Sequence, residues 1–446
     1  MVFLRLAWRR RYLIVLAFAA MLFSGCAGRS LYPKVGVYLK SGDCDQAADI
    51  MARGGSEYGS NARLLYLLDS AMVSLQCGAF DTAQQRLHEA EELAQALWTE
   101  SISRNAASMV TNDYVMPYGG EDYERVMIHV VSAIGYMIAE QLDEALVEVR
   151  RLDSLLEMYD RTYAENTVYK KDAFGRYLSG MLREAEGGTD DAFIDYYLAA
   201  GIYANEWQRY HTPMPEALAE DLLRMAQRVG RMEEARLVLP EQVVSRFAPA
   251  MDEDGLGKVV VLVFNGEGPY KIQDTAIVSI KYGPVTIAFP KIITGTVPCS
   301  QATFHLSNDQ GAAAAPMALA ADINEIARKS LEDKKGRIVA KALARATAKQ
   351  VAIHGIANSS ETKEQKQAVA TLLNIFNAMV LEKADLRCWR TLPGQILTAR
   401  IMAEPGSYEV QVEMCQNQTY NLGNVTLNPG ETRFVLLDTR YGPVQP

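Results

Sequence analysis

A four-residue signature recurs in the first half of this chain: Phe80-Asp81-Thr82-Ala83, Leu142-Asp143-Glu144-Ala145, Thr189-Asp190-Asp191-Ala192 and Met232-Glu233-Glu234-Ala235. Each copy fits the opening of a helix. The acid meets unpaired backbone N–H groups and the positive end of the helix dipole, and the alanine lets a neighbouring helix approach closely. Apolar residues around the copies fall at three- and four-residue spacing, as in Leu64, Leu65, Leu68, Met72 and Leu75, the period of a helix that buries one face. Strand signals are nearly absent from about Gly36 to Pro240. This stretch must build its core by packing helix on helix.

The signature resembles the turn of a tetratricopeptide-type helical hairpin, in which a bulky residue and an alanine hold these relative places. Successive copies start 62, 47 and 43 residues apart, against about 34 in that family. A divergent or interrupted helical solenoid is therefore expected, with an irregular helical bundle as the alternative. The longest interruption contains Tyr118-Gly119-Gly120-Glu121-Asp122-Tyr123-Glu124-Arg125, where two glycines make a turn and the acids open a helix running to Ala139.

The pattern changes around residues 245–258, where Asp252, Glu253, Asp254, Gly255 and Gly257 form a linker. Lys258-Val-Val-Val-Leu-Val-Phe264 then reads as a buried strand. Further strands are expected at Ala276–Ile280, Val285–Phe289, Gln395–Met402, Tyr408–Met414, Asn424–Leu427 and Arg433–Leu437, with antiparallel pairing as the natural outcome of short strands joined by turns. The last of them resemble the closing hairpins of small extracellular β-sandwich modules. Between the strand groups, about 317–383, lies an Ala-rich helical insertion. In it Ile338, Leu343 and Val351 recur among Lys341, Arg345 and Lys349. It is read as a cover for one face of the sheet, or alternatively as a basic amphipathic helix touching a membrane or partner. The expected fold class is α+β multidomain: a TPR-like α-solenoid over 36–245, then an antiparallel β-rich, sandwich-like domain over 258–446 with that insertion.

The first residues carry a separate instruction. Arg5, Arg9, Arg10 and Arg11 precede an apolar run from Tyr12 to Phe23, too short for a permanent span of about 20 residues but long enough for a signal-peptide core. Leu22-Phe23-Ser24-Gly25-Cys26 resembles the lipobox of bacterial lipoproteins, which implies removal of residues 1–25 and lipidation of Cys26, followed by a tether over 26–35. Ala27 lacks the aspartate that the lipoprotein analogy links to inner-membrane retention, so the expected location is the outer membrane, facing the periplasm. No cofactor beyond that covalent lipid is indicated.

Beyond residue 25 the chain has 41 basic against 54 acidic residues. Nucleic acid is excluded as a natural partner, because phosphate binding needs clustered Lys and Arg. Five cysteines follow Cys26. Cys44 and Cys77 flank two helices that could lie antiparallel, so a bridge between them is expected in an oxidising compartment. One of Cys299, Cys388 and Cys415 is then left over. The scattered histidines and the absence of Cys-x-x-Cys argue against a metal site.

No nucleophile elbow, phosphate loop or metal motif is present, and adjacent acids such as Glu121/Asp122 and Asp190/Asp191 read as helix caps. His129 is read as a packed or hydrogen-bonded side chain. Two stretches remain as candidates for recognition or for structure. One is Tyr118, Gly119, Gly120, Tyr123, Glu124 and Arg125. The other is Asp385, Arg387, Trp389 and Arg390, best read as an ion-paired corner around a buried Trp389. Both stretches resemble parts of a family of bacterial lipoproteins with a tetratricopeptide-like helical half and a C-terminal β-rich half. That resemblance implies envelope proteins as partners, including neighbouring lipoproteins or a secretion pore, and no activity. The expected function is a non-catalytic scaffold offering a concave protein-binding surface, and no small-molecule ligand is indicated. The rivals are a polysaccharide hydrolase, which needs two carboxylates converging in a cleft, and a solute-binding lipoprotein, which needs a deep pocket between the halves.

Overall fold

The computed structural model describes residues 31–103, 116–162, 169, 171–205, 207–247, 255–281, 283–358, 383–415 and 418–445. The signal segment, Cys26 and the second part of the expected insertion, 359–382, lie outside the described residues. Helix α1 (Leu31–Lys40) already occupies the end of the expected tether, because Leu31, Val35 and Leu39 bury against Ala47 and Met51 of α2 (Cys44–Tyr58). Four more antiparallel pairs follow: α3 (Arg63–Gln76) with α4 (Phe80–Ser103), α5 (Asp122–Ile138) with α6 (Leu142–Thr162), α7 (Ala173–Ala185) with α8 (Thr189–Asn205), and α9 (Glu216–Val229) with α10 (Met232–Val238). A short α11 (Glu241–Arg246) ends the array.

Each of the four sequence signatures opens the second helix of a pair, and Ala83, Ala145, Ala192 and Ala235 are all fully buried at the crossing. The first helices α3 and α5 are buried almost all round. A helix apolar on every side needs cover on every side, and here the cover is the chain's own sheet.

That sheet has strand order β11-β10-β1-β7-β6: β11 (Gly442–Val444), β10 (Thr432–Asp438), β1 (Gly257–Glu267), β7 (Pro393–Ala403) and β6 (Ala318–Asp322). Along β1, Val260, Leu262 and Phe264 join the helical core, while Val259, Val261 and Val263 face a second sheet. Burial on both faces explains the unbroken apolar run. The second sheet, β5 (Gly311–Pro316), β4 (Ala302–Asn308), β8 (Gly406–Met414) and β9 (Gln418–Leu427), closes a sandwich around Phe304, Val410 and Val412. The protein is thus α+β, with helical pairs, inner sheet and outer sheet as three layers.

Three expectations need correction. Pairing is not wholly antiparallel, since β1 and β10 run parallel with Val260 beside Phe434. The helical insertion begins at Ile323, not near 317, because residues 302–322 form β4, β5 and β6. Alanine favours helix, but Ala318–Asp322 pair with Gln395–Thr398 of β7 and become an edge strand. Third, the strands expected at Ala276–Ile280 and Val285–Phe289 are present but longer than expected, pairing as one hairpin, β2 (Tyr270–Ile280) with β3 (Gly283–Ile293). Helix α12 (Ile323–Asn358) covers it, with Ala342 and Ala346 against Val285 and Ile287. Among the described residues no helix is long and apolar enough to cross a membrane.

Cys44 and Cys77 are joined with Cα atoms 5.6 Å apart, and Cys299 and Cys415 with Cα atoms 5.9 Å apart. Cys388 is the free, buried thiol, and burial pushes its pKa up to about 12. A thiol held protonated is a poor nucleophile. Under non-reducing conditions the five cysteines beyond Cys26 should show no alkylation in the native protein and one, at Cys388, after unfolding. Alkylation of Cys44 or Cys299 without reductant would contradict these pairings.

Candidate functional site

The two recognition candidates from the sequence meet in space at the amino end of α5. Glu124, fully buried, accepts hydrogen bonds from the Tyr118 hydroxyl (2.5 Å), the Glu121 backbone N–H (2.9 Å) and the Trp389 backbone N–H (2.7 Å). Glu121 pairs with Lys271 (2.5 Å) and Lys334 (3.1 Å), and Asp122 with Lys334 and Arg125, both at 2.6 Å. Burial would raise the Glu121 carboxyl, but the two ammonium groups overcome it and hold the pKa well below the usual carboxylate range. Among the described residues no such cation is bonded to Glu124, and burial raises its pKa.

Arg387 lies over the Tyr118 ring at 5.2 Å, pairs with Asp385 at 2.7 Å and donates to the carbonyls of Asn61 and Met116. Gly120 turns the chain at φ 79°, a conformation that favours glycine, and Gly119 packs by Leu97. Tyr118, Tyr123, Glu124, Arg125 and Trp389 are buried. Their geometry is that of a joint between the helical pairs and the β layers. The paired acids Glu121 and Asp122 serve the same joint.

A second buried carboxylate lies close by. Asp69 accepts from Tyr32 and Tyr58 (both 2.8 Å) and from Thr391 (2.7 Å), whose own oxygen accepts from the Trp389 indole. Burial pushes Asp69 up from 3.8 to about 6, against the lowering effect of the three hydroxyls. The folded state therefore holds this proton to higher pH than the unfolded state, so ionising Asp69 costs stability as pH rises from about 4 to 6. Relative to Asp69→Asn, the natural protein should lose about 2 kcal/mol across that window. Parallel stability profiles for the two proteins would contradict it.

The surface left open by the sheet is a groove between α4 and α6 over α5. Its apolar wall is Ile128, Val147, Leu155, Met158 and Trp98, and it holds cavities of about 400 and 290 Å³ that share Glu91, Ile128, Val147 and Arg151. At its centre His129 lies between two acids, Nδ1 2.9 Å from Glu148 and Nε2 3.8 Å from Glu91. Arg151 reaches both carboxylates, at 2.8 Å to Glu91 and 3.3 Å to Glu148. Among the described residues this trio is the set of potential metal-ligand side chains that gathers within 4.8 Å. The Arg151 guanidinium takes the place between the two acids that a cation would need, and balances their charge from within. Of the three, His129 alone stands out in the sequence. The i,i+3 pairs His88/Glu91 and Glu148/Arg151 on the flanking helices were the available signal.

No family model matches the chain, and no curated protein matches it. Among solved structures it is similar to a putative kinesin light chain from Podospora anserina with nearly identical TPR-like repeats, at 17% identity over 49% of this chain and 92% of that one (TM-score 0.31). It is also similar to MamA, at 12% identity over 47% and 91% (TM-score 0.28), and to BtubC from P. vanneervenii, at 14% over 53% and 88% (TM-score 0.34). These are likenesses in helical-repeat fold alone.

Proposed function

We propose that the mature protein begins at Cys26, is held by its lipid to the periplasmic face of the outer membrane, and acts there as a non-catalytic scaffold for envelope proteins. The lipobox-like Leu22–Cys26 segment supports the anchor, and a single acyl chain would bind only marginally, so several are required. The observation that carries the scaffold reading is the α4–α6 groove, an apolar trough with a charged rim that the chain's own sheet leaves uncovered. The concave surface expected from the sequence is unavailable, because β1, β7 and β10 fill it. Glu91 and Glu148 do converge, as a hydrolase would need, but Arg151 and His129 pair with both acids.

Two experiments test this. Labelling cells with an alkynyl fatty acid should tag the natural protein and not Cys26→Ala; an unlabelled natural protein would remove the anchor. Crosslinking and affinity capture from cells should recover a few envelope proteins at constant ratio, lost with Leu155→Asp. Recovery of lipid and peptidoglycan only would remove the scaffold.

A further inference from the structure

Independently of the scaffold reading, we infer that the seam between α1–α3 and the inner sheet is a binding site for a small organic anion, held by the edge of Arg390. Two cavities, about 570 and 510 Å³, lie along this seam and share three lining residues: Tyr32, Tyr270 and Arg390. Volumes of this size suit small ligands, and pockets of this kind favour junctions between structural units.

Arg390 is held in a distinctive way. Its guanidinium lies over the Tyr32 ring at 5.0 Å and over the Tyr270 ring at 5.2 Å. Two rings against a flat cation fix its plane and leave its N–H edge as the only hydrogen-bonding surface. Among the described residues that edge has no acceptor and no ion-pair partner. The arginines around it differ: Arg387 is tied to Asp385, Arg440 to Asp438, and Arg125 to Asp122. Asp69 feels the charge of Arg390 but is not paired with it, and its oxygens are already taken by Tyr32, Tyr58 and Thr391.

The charge around the cavities points the same way. In the cavity beside Lys271, that lysine is neutralised by Glu121 and Arg387 by Asp385, which leaves Arg390 and the exposed Lys383 against Glu57. In the other, Asp438 and Arg440 cancel, which leaves Arg390 and Lys40 against Glu267. Each side carries one more cation than anion. A planar fork with free donors matches the paired oxygens of a carboxylate or phosphate, and Tyr32, Tyr58 and Tyr270 offer amphipathic ring surface for the ligand's body. The ligand class is therefore a small molecule that joins a carboxylate or phosphate to a flat or ring-shaped body.

The test uses the full-length protein in detergent, titrated calorimetrically with benzoate, phenyl phosphate and uncharged benzamide. Saturable binding of at least one anion is expected, with benzamide about tenfold weaker or more, since a hydrogen bond to a charged group contributes at that scale. Comparing benzoate with phenyl phosphate tells which oxyanion the site prefers. Arg390→Met keeps the apolar stem and should weaken anion binding about tenfold or more. If that variant fails to fold, Arg390→Lys keeps charge and stem but loses the fork, and a clear loss is expected there as well. Failure of both anions to bind at millimolar concentration, or equal binding by natural protein and a folded Arg390 variant, overturns the assignment.

Discussion

Replacing Glu184 by glutamine is expected to destabilise the protein by about 3–5 kcal/mol, the cost of breaking a buried charge cluster from one side. Glu184, at the end of α7, accepts from Arg224 of α9 (Nη2, 2.8 Å), from the Tyr196 hydroxyl of α8 (2.7 Å) and from Lys258 of β1. The cluster continues through Asp221, which pairs with Arg224 (2.6 Å) and with Arg400 of β7 (2.5 Å). It is the polar bolt between the helical pairs and the inner sheet. Burial opposes ionisation of Glu184, but Arg224 and Lys258 outweigh it and hold the carboxyl far below its ordinary range. Glutamine has the shape but not the charge, so two cations would stay buried with one acid, Asp221, that already serves Arg400. The double variant Glu184→Met, Lys258→Met removes charge from both sides, and should recover much of the loss, since apolar replacement of whole buried pairs is often neutral. Urea midpoints for the two variants check this; a Glu184→Gln midpoint equal to the natural one would contradict it.

Trp389→Ala is expected to cost about 3–5 kcal/mol, as for other buried tryptophans. The indole is completely buried, donates to Thr391, and sits on the segment whose backbone N–H reaches Glu124 across the joint. Its removal leaves a cavity beside Asp69 and Glu124, two carboxylates that depend on that segment for hydrogen bonds. Loss of the joint should also separate the melting of helices and sheets into two steps. A single transition at the natural midpoint would contradict the role assigned to Trp389.

What could be read in the sequence was local. The four acid-to-alanine signatures succeed because helix opening and close helix crossing are decided within four residues, at Asp81/Ala83 and its counterparts. The pairing of Cys44 with Cys77 follows from two adjacent helices. The Tyr118–Arg125 and Asp385–Arg390 stretches each stood out for composition. Their meeting, with Glu124 bonded to Trp389 across 265 residues, has no local signal.

The errors have the same origin. Ala318–Ala321 reads as helix until β7 offers it a partner, and the parallel pairing of β1 with β10 joins strands about 170 residues apart, which no local pattern announces. The solenoid's inner surface looked free because nothing in α3 or α5 names the sheet that covers them. The α4–α6 groove has no local signal, because Glu91, His129 and Glu148 come from three helices.

The most direct test of the scaffold places a photoreactive amino acid at Val147 in the groove, and at Ile277 on the exposed β2–β3 hairpin as a control, in the intact protein in living cells. Discrete adducts with the same few envelope proteins from Val147, and none of those from Ile277, are expected. Absence of protein adducts from Val147, or identical adducts from both positions, would contradict the groove as the partner-binding surface.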